Sequence, residues 1–118
     1  MPLIRVVDAD PALVALLTEW LREAGFEVDH AGRIAPRPAV RYDLILVDLP
    51  FPRLDGMQRI TDIAARHPGV PIIAVSTAFF PAVCGYFEVA RALGVRHALS
   101  KPLFRGELLA AVRLVLKP

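Results

Sequence analysis

Cysteine occurs once, at Cys84, so no internal disulfide can form and no set of thiolates has the spacing of a zinc site. Lysine is almost as scarce, with Lys101 and Lys117 standing beside twelve arginines. No apolar run approaches the ~20 residues of a membrane-spanning helix. The N-terminus lacks the basic flank and long apolar segment of a secretory signal. A strong excess of one charge is also missing. The net charge is +2, and the arginines are scattered singly without interleaved aromatics, which argues against direct nucleic-acid binding. Together these absences favour a reduced, cytoplasmic setting with no membrane contact.

Apolar residues, in contrast, are plentiful. They make up 55% of the 118 residues, enough for one buried core in a single domain. Short strand-like runs fall at Leu3–Val7, Phe26–Asp29, Leu44–Val47 and Ile72–Val75, with a weaker one at Arg96–Leu99. Three of them are rich in Val and Ile, as buried parallel strands tend to be. Helical periodicity lies between them. Leu13, Leu16, Leu17, Trp20 and Leu21 share one face, with Gly25 as the stop. Met57, Ile60, Ile63 and Ala64 form a second face. Val83, Phe87, Ala90 and Leu93 form a third, closed by Gly94, and Leu108, Ala111, Val112 and Val115 form the last.

Strands alternating with helices predict right-handed βαβ units and a parallel sheet covered on both faces. The expected fold is α/β, a flavodoxin-like doubly wound five-stranded parallel sheet. One crossover departs from this pattern. "AGRIAPRPAVRYD" carries Pro36 and Pro38 where a helix is due, and interior proline costs a helix about 3 kcal/mol. The second crossover helix is therefore expected to be shortened or broken, leaving one sheet face thinly covered.

Ligands of open α/β sheets bind beyond the carboxyl ends of the strands. Asp8 follows the first strand, Asp48 the third, Ser76 and Thr77 the fourth, and Ser100-Lys101-Pro102 the fifth. Two carboxylates, a hydroxyl and a lysine thus converge on one edge.

The pieces "VVDADPAL", "YDLILVDLPFPRLDG", "VPIIAVSTA" and "LSKPL" resemble the receiver domain of two-component response regulators, nearly end to end. On that resemblance residues 1–118 form a single receiver domain. It implies that Asp48 accepts a phosphoryl group from a histidine kinase or a histidine phosphotransfer protein. It also implies that Lys101 neutralises charge on the phosphoryl oxygens and that Ser76 is the switch hydroxyl. Activity would be limited to self-phosphoryl transfer and autodephosphorylation. Asp8, Asp48 and the Pro50 backbone carbonyl match the family's Mg²⁺ ligands. The family's signalling and dimerisation face corresponds to the Ala82–Leu93 helix together with the last strand and helix.

Two positions depart from the family pattern. Ala9 stands where a second acid commonly binds Mg²⁺ directly, so weak metal binding is expected. Asp10 is a lesser metal candidate, because Asp followed by Pro11 and an amphipathic run reads as a helix N-cap. Ala98, three residues before Lys101, replaces the usual rotating aromatic, and the adjacent His97 should point to the other side of the strand.

Two other readings compete. A pseudo-receiver would keep the fold as an interaction module without phosphorylation, which Ala9 and Ala98 favour. The DxD of "VVDADPAL" also resembles haloacid-dehalogenase-type phosphohydrolases, with Asp8 as nucleophile and Asp10 as general acid. That reading leaves Asp48 and its Asp55-Gly56 loop unexplained and finds no acidic pair after Lys101.

Overall fold

Among the described residues, the alternation of short apolar runs and helical stripes resolves into eight elements. The computed structural model describes residues 2–7, 10–30, 41–49, 54–76, 91–92, 94–100 and 102–117, with backbone alone at 30, 49, 54–57, 76 and 100. In chain order they are β1 (Leu3–Val7), α1 (Pro11–Glu23), β2 (Glu27–His30), β3 (Leu44–Leu49), α2 (Leu54–Arg66), β4 (Ile72–Ser76), β5 (Val95–Ser100) and α3 (Arg105–Leu116). The strands form one parallel sheet in the order β2-β1-β3-β4-β5. Strand order reverses between β1 and β3, which opens a crevice at the carboxyl ends of those two strands. The expected doubly wound fold is the observed one.

Local chemistry sets the limits of α1. Asp10 is its N-cap, with Oδ1 accepting the Leu13 N–H at 2.8 Å, and Pro11 occupies the first turn. At the other end Gly25 turns left-handed at φ 96°. Its N–H donates to the Arg22 carbonyl and the Phe26 N–H to that of Leu21, a Schellman closure. Phe26 is thereby spent on ending the helix. The second strand accordingly starts at Glu27, whose N–H reaches the Pro2 carbonyl, one residue later than its apolar pattern suggested.

The fifth strand also differs from expectation, running from Val95 to Ser100. Ile72 pairs with Val95 and Ile73 with His97, so Arg96 is the extra residue of a bulge. That bulge aligns His97 with Ile73 and Ala98 with Ala74, whose side chains lie on opposite faces of the sheet. His97 and Ala98 therefore diverge, as the alternation of a strand requires.

Each face of the sheet has its own core. On one, Ile4, Val6, Leu44, Leu46, Ile73 and Val75 meet Leu17 and Leu21 of α1 and Leu108, Ala111 and Val112 of α3. Trp20 packs against this cluster while remaining partly exposed. On the other, Ile45, Val47, Ile72, Ala74 and Val95 meet Ile60 and Ile63 of α2. Fully burying each aliphatic side chain of this kind contributes about 1.5–3 kcal/mol. The crossover at residues 31–40 and the third helical face at Val83–Leu93 fall outside the described residues or at their margin. Among the described residues, no helix is long and apolar enough to cross a membrane.

Candidate functional site

Two acids are buried among the described residues, Asp48 and Asp29, and they sit in different parts of the sheet. Asp48 lies near the carboxyl end of β3, in the centre of the sheet, and is 8% exposed. It is carried there by "LILV", whose four side chains alternate between the two cores.

Register brings the neighbouring positions to the same edge. Val47 pairs with Val7, the last residue of β1, and Asp48 pairs with Val75. One step further, Leu49 pairs with Ser76 and Ser76 with Ser100. Asp48 and Ser76 therefore lie on adjacent strands, offset by one residue, with the end of β5 beyond them. Asp8, Ala9, Pro50 and Lys101 lie outside the described residues, as do Thr77 and the Phe79–Phe87 aromatic stretch. Asp10 is described, and its carboxylate is engaged as the cap of α1.

A buried carboxylate on this edge can act as a nucleophile or as a hard oxygen donor. Mg²⁺ prefers such donors in octahedral geometry and readily keeps several waters. Oδ1 of Asp48 is buried and accepts no hydrogen bond from the described residues, although the residue has other interactions. A buried carboxylate at this edge is a donor of the kind a hard divalent cation takes. No cluster of three or more metal-ligating side chains exists among the described residues.

The second buried acid was not singled out by sequence. Asp29 of β2 is 2% exposed and faces Arg5 of β1 directly across the strand pair. Its Oδ2 accepts Arg5 Nη1 at 2.9 Å and the Tyr42 hydroxyl at 2.6 Å. The Arg5 guanidinium lies 5.7 Å from the centre of the Tyr42 ring, and His67 meets that ring edge-on at 5.4 Å. Burial pushes the His67 imidazole below its ordinary pKa, assisted by the positive charges of Arg5 and Arg66.

Comparison with known proteins gives the family of the chain. Residues 4–113 match the family model of the response regulator receiver domain. The transcriptional regulatory protein PrrA of Mycobacterium leprae is 34% identical, over 98% of this chain and 50% of its own length. The chain spans about half the length of the curated relatives it matches. Chemotaxis protein CheY4 of Vibrio cholerae has the same fold, with a TM-score of 0.79 and 24% identity over 98% of this chain and 99% of that one. The receiver domain of sensor histidine kinase PA1611 from Pseudomonas aeruginosa, solved with magnesium coordinated in its active-site cleft, is 27% identical. It covers 99% of this chain and 98% of its own, with a TM-score of 0.72. The dehalogenase-like reading finds no support in these relatives, and the chain belongs to the response regulator receiver domain family.

Proposed function

We propose that this receiver domain, taken as residues 1–118, accepts a phosphoryl group on Asp48 from a histidine kinase or phosphotransfer protein and thereby switches an interaction surface. The observation that carries this reading is the placement of Asp48. It is a buried carboxylate at the carboxyl edge of the central strand, one register step from Ser76 on β4. An Asp48 oxygen would attack phosphorus, and the donor's nitrogen would leave.

Charge accumulating on the phosphoryl oxygens then has to be neutralised. Lys101, directly after Ser100, would meet one oxygen with a compact ammonium on a flexible stem. The Ser76 hydroxyl would turn to donate to another. Mg²⁺, when bound, supplies further neutralisation of the same charge. Asp8, Asp48 and the Pro50 carbonyl would hold it, with water in the place that Ala9 leaves, while Asp10 stays with the helix cap. The magnesium in the PA1611 receiver supports this assignment by family relationship. A cytoplasmic location suits partners of this kind, and the last strand and helix, with the Ala82–Leu93 segment, would form the responding and dimerising face.

Incubation with acetyl phosphate and Mg²⁺, followed by intact mass, should show one added phosphoryl group that Asp48→Asn abolishes. A chain that stays unmodified at saturating Mg²⁺ is the pseudo-receiver instead, the reading that Ala9 favours. The metal assignment has its own test. Ala9→Asp should tighten Mg²⁺ binding by about tenfold or more, since even outer-shell partners of metal ligands are worth that much. Equal affinities would remove Ala9 from the account.

A further inference from the structure

The second buried acid belongs to a group of side chains that phosphoryl chemistry does not use. Four parts of the fold contribute to it: Arg5 from β1, Asp29 from β2, Tyr42 from the approach to β3, and His67 from the turn after α2. β2 is a four-residue edge strand paired on one side, with β1. Short edge strands are weakly held by their backbone ladder. Asp29 adds two charge-assisted hydrogen bonds at the centre of this strand, and both run inward to the body of the sheet.

Tyr42 is the connecting piece. Its hydroxyl donates to Asp29, and its ring centre lies 5.7 Å from the Arg5 guanidinium and 5.4 Å from the His67 ring. His67 is fixed in place by its own backbone. Its N–H donates to the Ile63 carbonyl, and its carbonyl accepts the Val70 N–H. These bonds hold its backbone at the end of α2, from which the imidazole reaches the Tyr42 ring.

We propose that Arg5, Asp29, Tyr42 and His67 form an acid-sensitive clamp on the edge strand β2, closed while His67 is neutral and loosened when His67 takes a proton. A protonated imidazole would place a second cation on the ring that already bears Arg5. Arg66 of α2 adds to that field. Arg41, whose Nη2 lies 3.6 Å from where a Cβ on Gly69 would stand, brings a further cation to the same turn. Asp29 Oδ2 holds Arg5 and Tyr42, and Asp43 Oδ2 accepts the Leu3 N–H at 2.8 Å.

The sign follows from the direction of the His67 shift. Its folded-state pKa lies below the ordinary 6.5, so below about pH 6.5 the unfolded or opened chain binds more protons than the closed one. Closure is therefore fully stable above that pH and weakens as pH falls through it. Screening by salt should blunt the effect, because part of it is repulsion across about a Debye length or less.

The test is amide hydrogen exchange on the full chain at pH 7.5 and 5.5 in low salt, corrected for intrinsic rates, together with an NMR titration of His67. Protection of Glu27–His30 should drop several-fold at the lower pH, while Ile72–Ser76 of β4 keeps its protection. His67→Gln, neutral at both pH values, should abolish the drop, and His67→Phe serves if the first variant folds poorly. Tyr42→Phe should lower β2 protection already at pH 7.5. The proposal is overturned if His67 titrates at or above its ordinary value, or if β2 and β4 lose protection equally. An unchanged pH response in the His67 variants, or full β2 protection at pH 7.5 in Tyr42→Phe, overturns it as well. None of these variants touches Asp48, so failure here would leave the phosphoacceptor reading standing.

Discussion

The two faces of the sheet solve the same burial problem with different chemistry. On the α1/α3 face the buried cluster is entirely aliphatic, because two amphipathic helices lie over it. On the α2 face aliphatic packing covers β3 and β4, but Arg5, Asp29 and Tyr42 interrupt it toward the β2 edge. An apolar face is held by area removed from water, and that force has no direction. A polar patch is held by a few bonds of fixed geometry, so it specifies which groups must meet. Its cost appears when one partner is removed and the others stay buried.

Mutations can break or sharpen this contrast. Leu108, fully buried under α3, should show the largest effect: Leu108→Ala is expected to cost about 2–5 kcal/mol in urea unfolding, from lost transfer energy plus a cavity. Asp29→Asn keeps the shape but removes the charge from both hydrogen bonds, and should cost about 1.5–3 kcal/mol by the same measurement. If Asp29→Asn proved neutral while Leu108→Ala stayed severe, the polar edge would be decoration on an apolar fold. Asp10→Ala tests a third kind of contact, local to one helix end. Loss of its cap should cost about 1 kcal/mol, and phosphorylation of Asp48 should persist with Mg²⁺ affinity little changed. A large fall in that affinity would instead assign Asp10 to the metal. The exposed Arg105–Glu23 pair, by comparison, has little to contribute.

Much of the frame was legible because its causes are local. Asp10 and Pro11 start α1 and Gly25 ends it through contacts within a few residues, so the capping role could be read from "DADP" alone. The Val- and Ile-rich runs at β3 and β4 needed no partner to be recognised. Phe26 shows where a local reading slips: its apolar side chain resembles a strand start, yet its N–H is taken by the helix before it. At β5 the weak pattern hid both Val95 and the bulge, since Arg96 looks like an ordinary strand residue until its neighbours' pairing is known.

Asp29 was harder still. "FEVD" reads as a strand ending in an acid, and Arg5 as one charge in "LIRVV". A charge inside one run and an acid at the end of another are a usable signal only once the runs are known to be neighbours in register.

By itself the sequence determined the order of the described strands and helices and the ends of α1. Those follow from periodicity and from contacts along the chain. Tertiary structure alone decided that Asp48 is buried beside the Ser76 position, and that Arg5, Asp29, Tyr42 and His67 share one cluster. Sheet register joins residues 23 or more apart, and a register is chosen by the whole core at once. A single-residue slip of β2 would turn Asp29 to the opposite face, away from Arg5 and Tyr42.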